Sequence, residues 1–310
     1  MKKLIYIALS IFVLSACGDD KPEGKKLEFK NSKDELSYVL GAINAKTIVS
    51  SGETSFTNLD KDLLCKGFNS NLNNTPTDDC LPTIKKLFGP TYQDFNKRYV
   101  KEGSLCMGKM TGYAFYSDIK KLGGLNLVNL EMVKKGYADG MFRRDTVMKE
   151  AQMRQIMQDF MISLNVKNGD KMMAKAKKLP NAQVFENGIV MLTKKAGNGP
   201  NPSGTDDVLV HYVLMSALGD TVQDSHKMKN HEGKAEAVPL QLSGGVISGW
   251  SYALPKMKKG GTYRIYVPWE LAYGIEGGKE SLCFDIELID CAKTGTFVKP
   301  QMPGNSPGMR

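Results

Sequence analysis

The hydrophobic periodicity of this chain changes around Leu179-Pro180-Asn181, and that change constrains the fold more than any other feature. Before it, apolar residues recur at intervals of three and four, as on one face of a helix. After it, apolar and polar residues alternate over short runs, as in half-buried strands. Proline ends a helix and turns the preceding residue toward an extended conformation. The 310 residues therefore predict a helical domain over 32–178 and a sheet-bearing domain over 179–292.

The helical half contains an internal repeat. Residues 37–41 (Ser-Tyr-Val-Leu-Gly) align with 104–108 (Ser-Leu-Cys-Met-Gly), and residues 63–68 align with 132–137. Each unit predicts a helix, a loop and a second helix, and a long linking helix without an internal proline follows over 146–178. An αα-hairpin cannot bury its apolar face alone. We therefore expect the two repeats to pack together or onto a second chain.

The second half predicts short strands with one short helix. Strand-like runs with apolar residues on one face lie at 208–212, 263–267 and 282–288. Asn187-Gly188 is typical of a hairpin turn, and residues 249–257 indicate a short helix. A sheet with one short helix lying on it is an α+β plan. Residues 293–310 carry proline and glycine without periodicity, which predicts a disordered tail.

The first residues predict export from the cytoplasm. Lys2 and Lys3 precede a short apolar run, and small residues then lead to Cys17. This layout is typical of a signal peptide over 1–16, which is too short to span a bilayer as a mature helix. The string Leu-Ser-Ala-Cys resembles the lipobox of bacterial lipoproteins, which implies lipid, palmitate included, on Cys17. The alternative is a plain signal peptide whose cysteine has no such role. Residues 17–31 are polar and predict a flexible tether.

The charge pattern and the absence of several motifs argue against other classes of function. The 42 basic residues are interleaved with 33 acidic ones, which indicates a solvated mixed surface and no nucleic-acid partner. His226 and His231 have no partner cysteine at zinc spacing, so no metal is expected. The sequence has no phosphate-binding glycine loop with its lysine and no serine elbow. We therefore expect no cofactor.

The cysteines left after lipidation are odd in number, so at least one thiol lacks an internal partner in an oxidising compartment. Cys283 and Cys291 lie on one predicted strand and are eight residues apart. At about 3.3 Å per residue they are too distant to bond each other. Cys65 with Cys80 is the predicted disulfide, and Cys106 is the rival partner.

Several blocks of the second half carry a family resemblance. The string at 245–250 (Gly-Val-Ile-Ser-Gly-Trp) resembles the segment that forms the pocket floor in FKBP-type peptidyl-prolyl isomerases. Five further blocks stand in the order of that family, at 208–212, 224–225, 258–261, 268–274 and 282–288. The resemblance covers about 180–291. The helical half is similar to the N-terminal domain of the Mip-like branch, through its string at 36–41 and through the domain order.

The resemblance implies a fold, a reaction and a site. The fold is an all-α domain with two αα-hairpin repeats and a long linking helix, followed by an antiparallel sheet wrapped on one short helix. The reaction is rotation about an X-Pro peptide bond, which has a barrier of about 18–20 kcal/mol and is slow without a catalyst. The implied catalytic residues are Tyr212, Asp224 and Tyr273. The implied substrate-binding residues are Val238, Val246, Ile247, Trp250 and Phe284.

Each of these residues alone would be an ordinary core or turn residue, and their joint occurrence in order carries the interpretation. Three departures from the family pattern leave an alternative open. Gln223 stands where an aromatic residue is usual, Val238 replaces a second aromatic, and the loop at 275–279 is short. The alternative is therefore a catalytically weak or inactive chaperone or binding lipoprotein. A third interpretation, a surface-interaction lipoprotein, rests mainly on Gly18-Asp19-Asp20.

The resemblance also implies partners and a location. The clients would be proline-containing unfolded or exported proteins, and the helical domain would form a homodimer. The location would be the outer membrane of a Gram-negative bacterium, with the lipoprotein on the periplasmic side or at the cell surface.

Overall fold

The structure is a computed structural model that describes residues 28–49, 58–91, 94–144, 147–229, 233 and 235–297. The signal peptide, Cys17, His231 and most of the predicted tether and tail lie outside the described residues. The chain divides into two compact units, Met1–Phe160 and Met161–Arg310, and each is taken by itself below. Among the described helices, none has both the length and the apolar character that crossing a membrane requires.

The first unit is helical, as its periodicity predicts. Its helices are α1 (Ser32–Val49), α2 (Lys61–Ser70), α3 (Leu81–Phe88), α4 (Val100–Lys121), α5 (Leu130–Met141) and the beginning of α6 (Glu150–Ala176). Side chains at the residues before α2 and α5 cap those helices. Asp60 accepts a hydrogen bond from the Leu63 N–H, and Asn129 accepts one from the Glu131 N–H. The two repeated helix pairs, α1 with α2 and α4 with α5, are both present.

The two repeats pack crosswise on each other. Helix α1 lies against α5, and helix α2 lies against α4. Glycine makes this approach possible, because a Cβ on Gly41 would overlap the Val133 carbonyl oxygen and a Cβ on Gly136 would overlap that of Tyr38. Of the two packings that the sequence left open, the described chain therefore has the one within a single chain.

The second helix pair repeats these contacts. A Cβ on Gly67 would overlap the Leu105 carbonyl oxygen, and a Cβ on Gly108 would overlap that of Leu64. The serine that opens each repeated string also has the same role in both pairs. Ser37 accepts a hydrogen bond from the Asn129 N–H (2.7 Å), and Ser104 accepts one from the Asp60 N–H (2.9 Å). Each serine thus contacts the start of a helix in the other repeat.

Equivalent residues of the two repeats meet in the core of the helical unit. Phe68 and Tyr137 close the repeated strings 63–68 and 132–137, and their rings stack at 3.7 Å between centroids. Both side chains are fully buried. Burial raises the pKa of the Tyr137 hydroxyl well above its usual value, so this group stays neutral.

The disulfide of the helical unit joins Cys80 to Cys106, so the predicted Cys65–Cys80 pair is wrong. Cys80 ends a short 3-10 turn before α3, which packs on α4, and this brings its Cα to 5.2 Å from that of Cys106. Cys65 lies in α2 as a free, buried thiol. Burial, with a smaller contribution from Asp62, raises its pKa to about 11, which makes disulfide exchange slow.

The second unit is an antiparallel sheet wrapped on one short helix, as predicted. The strands are β1 (Gln183–Val184), β2 (Val190–Lys195), β3 (Asp207–Met215), β4 (Thr221–Asp224), β5 (Val238–Gln241), β6 (Thr262–Val267) and β7 (Leu282–Ala292). The order across the sheet is β1-β2-β6-β7-β3-β4, and β5 pairs with the other end of β3. Helix α7 (Ser248–Ala253) packs its apolar side chains on one face.

The end of α6 belongs to this second unit, which begins before the predicted start at residue 179. Met173 and Ala176 of α6 are buried against Val190 of β2. The hairpin turns at Gly188, whose φ of +88° suits glycine, and this confirms the predicted turn. At the other end of the chain, the Gly295 N–H donates a hydrogen bond to the Asp207 carboxylate (3.0 Å), so the described start of the predicted tail is attached to β3.

Candidate active site

A cavity of about 110 Å³ opens in the sheet-bearing unit. It lies between β3, β4, β5 and β7, the start of α7 and the turn that carries Tyr273. Its lining residues are Tyr212, Leu214, Gln223, Leu240, Gly245, Val246, Ile247, Trp250, Tyr273 and Phe284. Most of these side chains are apolar, so the cavity suits a small apolar group with a few polar contacts at its rim.

Trp250 is buried at the centre of an aromatic cluster. Its ring meets Tyr212 edge to face (centroids 5.4 Å apart, 86° between planes) and meets Phe284 in the same way (5.2 Å, 79°). Such T-shaped arrangements are favourable for aromatic pairs. The chain can place the indole here because Gly249 lets Val267 and the Leu271 carbonyl oxygen approach α7 closely. The Trp250 indole N–H is buried without a hydrogen-bond acceptor among the described residues.

Val246 and Ile247 form one wall at the entry to α7. Ile247 has an extended conformation (φ −61°, ψ 152°) and immediately precedes the helix. Its carbonyl oxygen accepts a hydrogen bond from the Trp250 N–H (2.9 Å). The first turn of α7 is therefore bonded to the Ile247 carbonyl oxygen. This hydrogen bond holds the wall in one conformation beside Trp250.

Two tyrosines line the cavity. Burial raises the pKa of Tyr212, and the nearby Tyr273 raises it further, so the Tyr212 hydroxyl stays protonated at neutral pH and can donate a hydrogen bond. The Tyr212 backbone N–H donates to the Ser225 hydroxyl (2.8 Å), which fixes β3 to the turn after β4. Tyr273 is 57% exposed and lies at the rim.

Asp224 does not line the cavity. Its neighbour Gln223 does, and adjacent residues of a strand point to opposite sides. The Asp224 carboxylate contacts Lys227 Nζ (2.8 Å) and His226 Nδ1 (3.2 Å) and accepts from the His226 N–H (3.1 Å). These contacts, the one with Lys227 foremost, hold the pKa of Asp224 below its usual value. The carboxylate is therefore ionised and caps the 3-10 turn Ser225–Lys227.

A second pair of rings lies beside this turn. His226 stacks on His211 at 4.4 Å between centroids, and its Nε2 lies 3.5 Å from the Glu287 carboxylate. The sequence predicted His226 only as part of a polar loop. Its contacts with β3 and β7 could not be read from spacing, because they arise when β4 folds back on β3. The described residues hold no group of three or more His, Cys, Asp or Glu side chains placed to bind a metal.

The structure brings together six of the eight predicted site residues around one cavity. The six are Tyr212, Val246, Ile247, Trp250, Tyr273 and Phe284. Val238 packs at the edge of the core, and Leu240, two residues further along β5, lines the cavity. Leu214, Leu240 and Gly245 were missed as lining residues. For Leu214 the signal was present, because it lies two residues from Tyr212 and so shares its face of β3.

Residues 199–289 match the family described as FKBP-type peptidyl-prolyl cis-trans isomerase. The peptidyl-prolyl cis-trans isomerase Mip of Coxiella burnetii is 32% identical over 211 residues, which cover 61% of this chain and 86% of that protein. The outer membrane protein MIP of Legionella longbeachae is 29% identical over 54% of this chain and 77% of its own length. The crystal structure of FkpA from Escherichia coli is similar at 24% identity, with a TM-score of 0.42, over 62% of this chain and 96% of that one.

Proposed function

This chain belongs to the FKBP-type peptidyl-prolyl cis-trans isomerases, and we propose that it isomerises X-Pro bonds in the cavity above Trp250. It is an enzyme that assists protein folding, as its Mip and FkpA relatives are. The observation that carries the choice of site is the apolar cavity, lined by the rings of Trp250, Tyr212 and Phe284 and with Tyr273 at its rim. The sequence left open an isomerase, an inactive binding lipoprotein and a surface-interaction lipoprotein, and the names of the relatives favour the isomerase.

The chemistry needs no nucleophile or metal. A planar amide is stabilised by charge separation between its oxygen and nitrogen, and that separation is lost when the bond twists. An apolar cavity disfavours the charge-separated planar form more than the twisted one. Contacts that fit the twisted amide better than the planar one then lower the barrier by differential binding.

The lining residues have separate roles in this proposal. Trp250 lies under the proline ring, with Phe284 beside it and Val246 forming the side wall. The Ile247 N–H donates to a substrate carbonyl. The Ile247 carbonyl oxygen already accepts from the Trp250 N–H, so it has no assigned contact with the substrate. The Tyr273 hydroxyl donates to a second substrate carbonyl at the rim.

Asp224 acts through its neighbours in this proposal. Its carboxylate caps the turn that contains Ser225, and the Ser225 hydroxyl holds the Tyr212 N–H. Asp224 therefore orients Tyr212 without contacting the substrate. Val238 supports the wall formed by Leu240 on the same strand.

The proposed clients are proline-containing unfolded or exported proteins, and no nucleic acid or cofactor takes part. One similar protein is an outer membrane protein by name. We propose an outer membrane lipoprotein of a Gram-negative bacterium, anchored by lipid on Cys17 and facing the periplasm or the cell surface. Metabolic labelling with a palmitate analogue tests this, since a Cys17→Ser variant should lose both the label and the membrane fraction. A labelled variant would contradict it.

The domain organisation remains part of the proposal. It comprises a signal peptide (1–16), a lipidated tether (17–31), a helical domain (32–178), an isomerase domain (179–292) and a tail (293–310). The last turns of α6 pack with the isomerase domain, so the working unit extends back to residue 161.

The resemblance implies a homodimer, and one observation favours a monomer as the alternative. In the described chain each repeat packs on the other, so a monomer in which the second repeat takes the place of a second copy is favoured by this observation. Light scattering on the chain without its lipid separates the two. A mass of two chains supports the homodimer, and a mass of one chain supports the internal pairing.

The test of the function is the exchange rate of a short X-Pro peptide, measured by NMR in the presence of the full chain. We expect catalysed exchange that falls about tenfold in Tyr273→Phe, the loss of one good hydrogen bond. Tyr252→Phe is the matched control, because Tyr252 lies on α7 but outside the cavity lining. Exchange that is equal in Tyr273→Phe and in the control would remove Tyr273 from the mechanism.

A further inference from the structure

The rim tyrosine lies at the start of a loop that connects the 3-10 turn Trp269–Leu271 to β7. This loop, residues 272–281, folds tightly on itself. The Gly277 N–H donates to the Tyr273 carbonyl oxygen (3.0 Å), and the Lys279 N–H donates to the Gly274 carbonyl oxygen (3.0 Å). Gly278 and Lys279 have φ of +66° and +54°, so the outer part of the loop has two consecutive left-handed residues. A non-glycine residue in that region needs support from its surroundings.

Helix α6 contributes to that support. The Asn165 side-chain amide donates a hydrogen bond to the Gly278 carbonyl oxygen (3.0 Å), at the outer turn of the loop. One turn further along α6, Gly169 lies against Ser281, and a Cβ there would come within 2.7 Å of the Ser281 Oγ. Ser281 is buried, and its hydroxyl accepts from the Trp269 N–H (3.2 Å). Helix α6 therefore contacts both the outer turn and the far end of the loop.

Tyr273 depends on its backbone for its position. Its side chain is 57% exposed, so burial does not hold the ring in place. The loop backbone that carries it is bonded to Asn165 on one side. On the other side, the Glu280 carboxylate accepts a hydrogen bond from the Ala217 N–H of the β3–β4 hairpin. Both attachments therefore restrain the loop that presents the Tyr273 hydroxyl.

We infer that Asn165 is a positioning residue for the isomerase reaction, which holds the 272–281 loop so that Tyr273 meets the substrate. This inference rests on the proposed function of the cavity. It extends the working site to a helix residue that lies outside the predicted isomerase domain at 179–292.

The test is a double-mutant cycle in the full chain, with kcat and KM measured separately on a short X-Pro peptide. Asn165→Asp keeps the shape of the side chain but cannot donate to a carbonyl when ionised. Asn165→Ala is the second variant, in case the new charge disturbs folding. Lys167→Ala is the matched control, because Lys167 is exposed on the same helix two residues away.

We expect kcat/KM to fall about fivefold in both Asn165 variants and to stay unchanged in the control, a coupling typical of residues that share one contact chain. In a Tyr273→Phe background the same Asn165 changes should alter kcat/KM less than about twofold, because the hydroxyl that they misplace is absent. A general loss of folding would lower the rate equally in both backgrounds.

Three results would overturn the inference. Equal losses in both backgrounds would assign Asn165 to stability alone. Full activity in both Asn165 variants would show that the loop holds itself. A wild-type chain without isomerase activity would contradict both this inference and the proposed function. If the wild type is active, either of the first two results contradicts only the role of Asn165.

Discussion

Each of the two units of this protein is stabilised internally by a different kind of contact. In the helical unit, the backbones of paired helices touch at glycines, and Gly41 and Gly136 leave no room for even one methyl group. In the sheet-bearing unit, large apolar side chains pack around Trp250 and leave one wall unfilled as a cavity. Changes at the helical contacts should therefore alter stability, whereas changes at the cavity lining should alter activity.

Removal of the Cys80–Cys106 disulfide should give the largest difference between the two units, because it should affect the stability of the helical unit and leave isomerase activity unchanged. The bond closes a stretch of chain with a sequence separation of 26, and its loss should lower the free energy of unfolding of the helical unit by about 3 kcal/mol. Urea titration of the Cys80→Ala/Cys106→Ala variant by circular dichroism measures this. Cys291→Ala, which removes a partly exposed free thiol, is the control. A loss of isomerase activity on short peptides would show that the units are not independent.

Gly136→Ala tests the backbone contact itself. Alanine normally stabilises a helix relative to glycine by about 0.5–1 kcal/mol. Here the added methyl would meet the Tyr38 carbonyl oxygen, so we expect a loss of about 2 kcal/mol from overpacking. Gly204→Ala is the control, because nothing lies near its added methyl. Thermal unfolding shows whether the variant is stabilised or destabilised. A stabilised Gly136→Ala variant would contradict the crosswise packing.

Gln223→Leu tests the cavity in the opposite direction. Gln223 places an amide in an otherwise apolar lining. Leucine should raise kcat/KM by about threefold for peptides with an apolar residue before proline, since burial of roughly one methylene group contributes about 0.8 kcal/mol. Stability of the helical unit should not change. A fall in kcat/KM for these peptides would mean that the amide itself binds the substrate.

Glu280→Gln is the smallest expected effect and depends on pH. Burial raises the pKa of Glu280 above its usual 4.5, and the hydrogen bond from the Ala217 N–H opposes this only in part. The folded protein thus holds this proton more tightly than the unfolded chain does. The resulting stability is full below the unfolded pKa and is lost as the pH rises through the raised value.

Glutamine keeps an acceptor for the Ala217 N–H and carries no charge at any pH. The variant should therefore match wild type at pH 4 and be more stable at pH 8, by less than about 1 kcal/mol after solvent screening. Urea midpoints across this range provide the measurement. A variant less stable than wild type at pH 8 would show that the charge strengthens the bond to Ala217.

Periodicity predicted both units, because helix and strand place apolar residues at different intervals. It could not predict which helices pair, since the repeated strings allow contacts within one chain or between two. The disulfide was missed for the same reason, because the partner of Cys80 depends on which helix packs beside it. In the site, Trp250 and Tyr212 follow from their motifs, whereas the outward direction of Asp224 depends on the path of β4. Asn165 could not be predicted, because its contact joins positions 113 residues apart.

Whether X-Pro bonds rotate in this cavity can be measured by refolding a protein whose slow step is X-Pro isomerisation, with the full chain or its Val246→Trp variant added. Val246 lies on the cavity wall, so the larger ring should block the cavity while the sheet still folds. We expect acceleration that rises with wild-type concentration and disappears in the variant, with equal thermal unfolding of both. Equal acceleration by the two proteins would contradict it, because isomerisation would then take place outside this cavity.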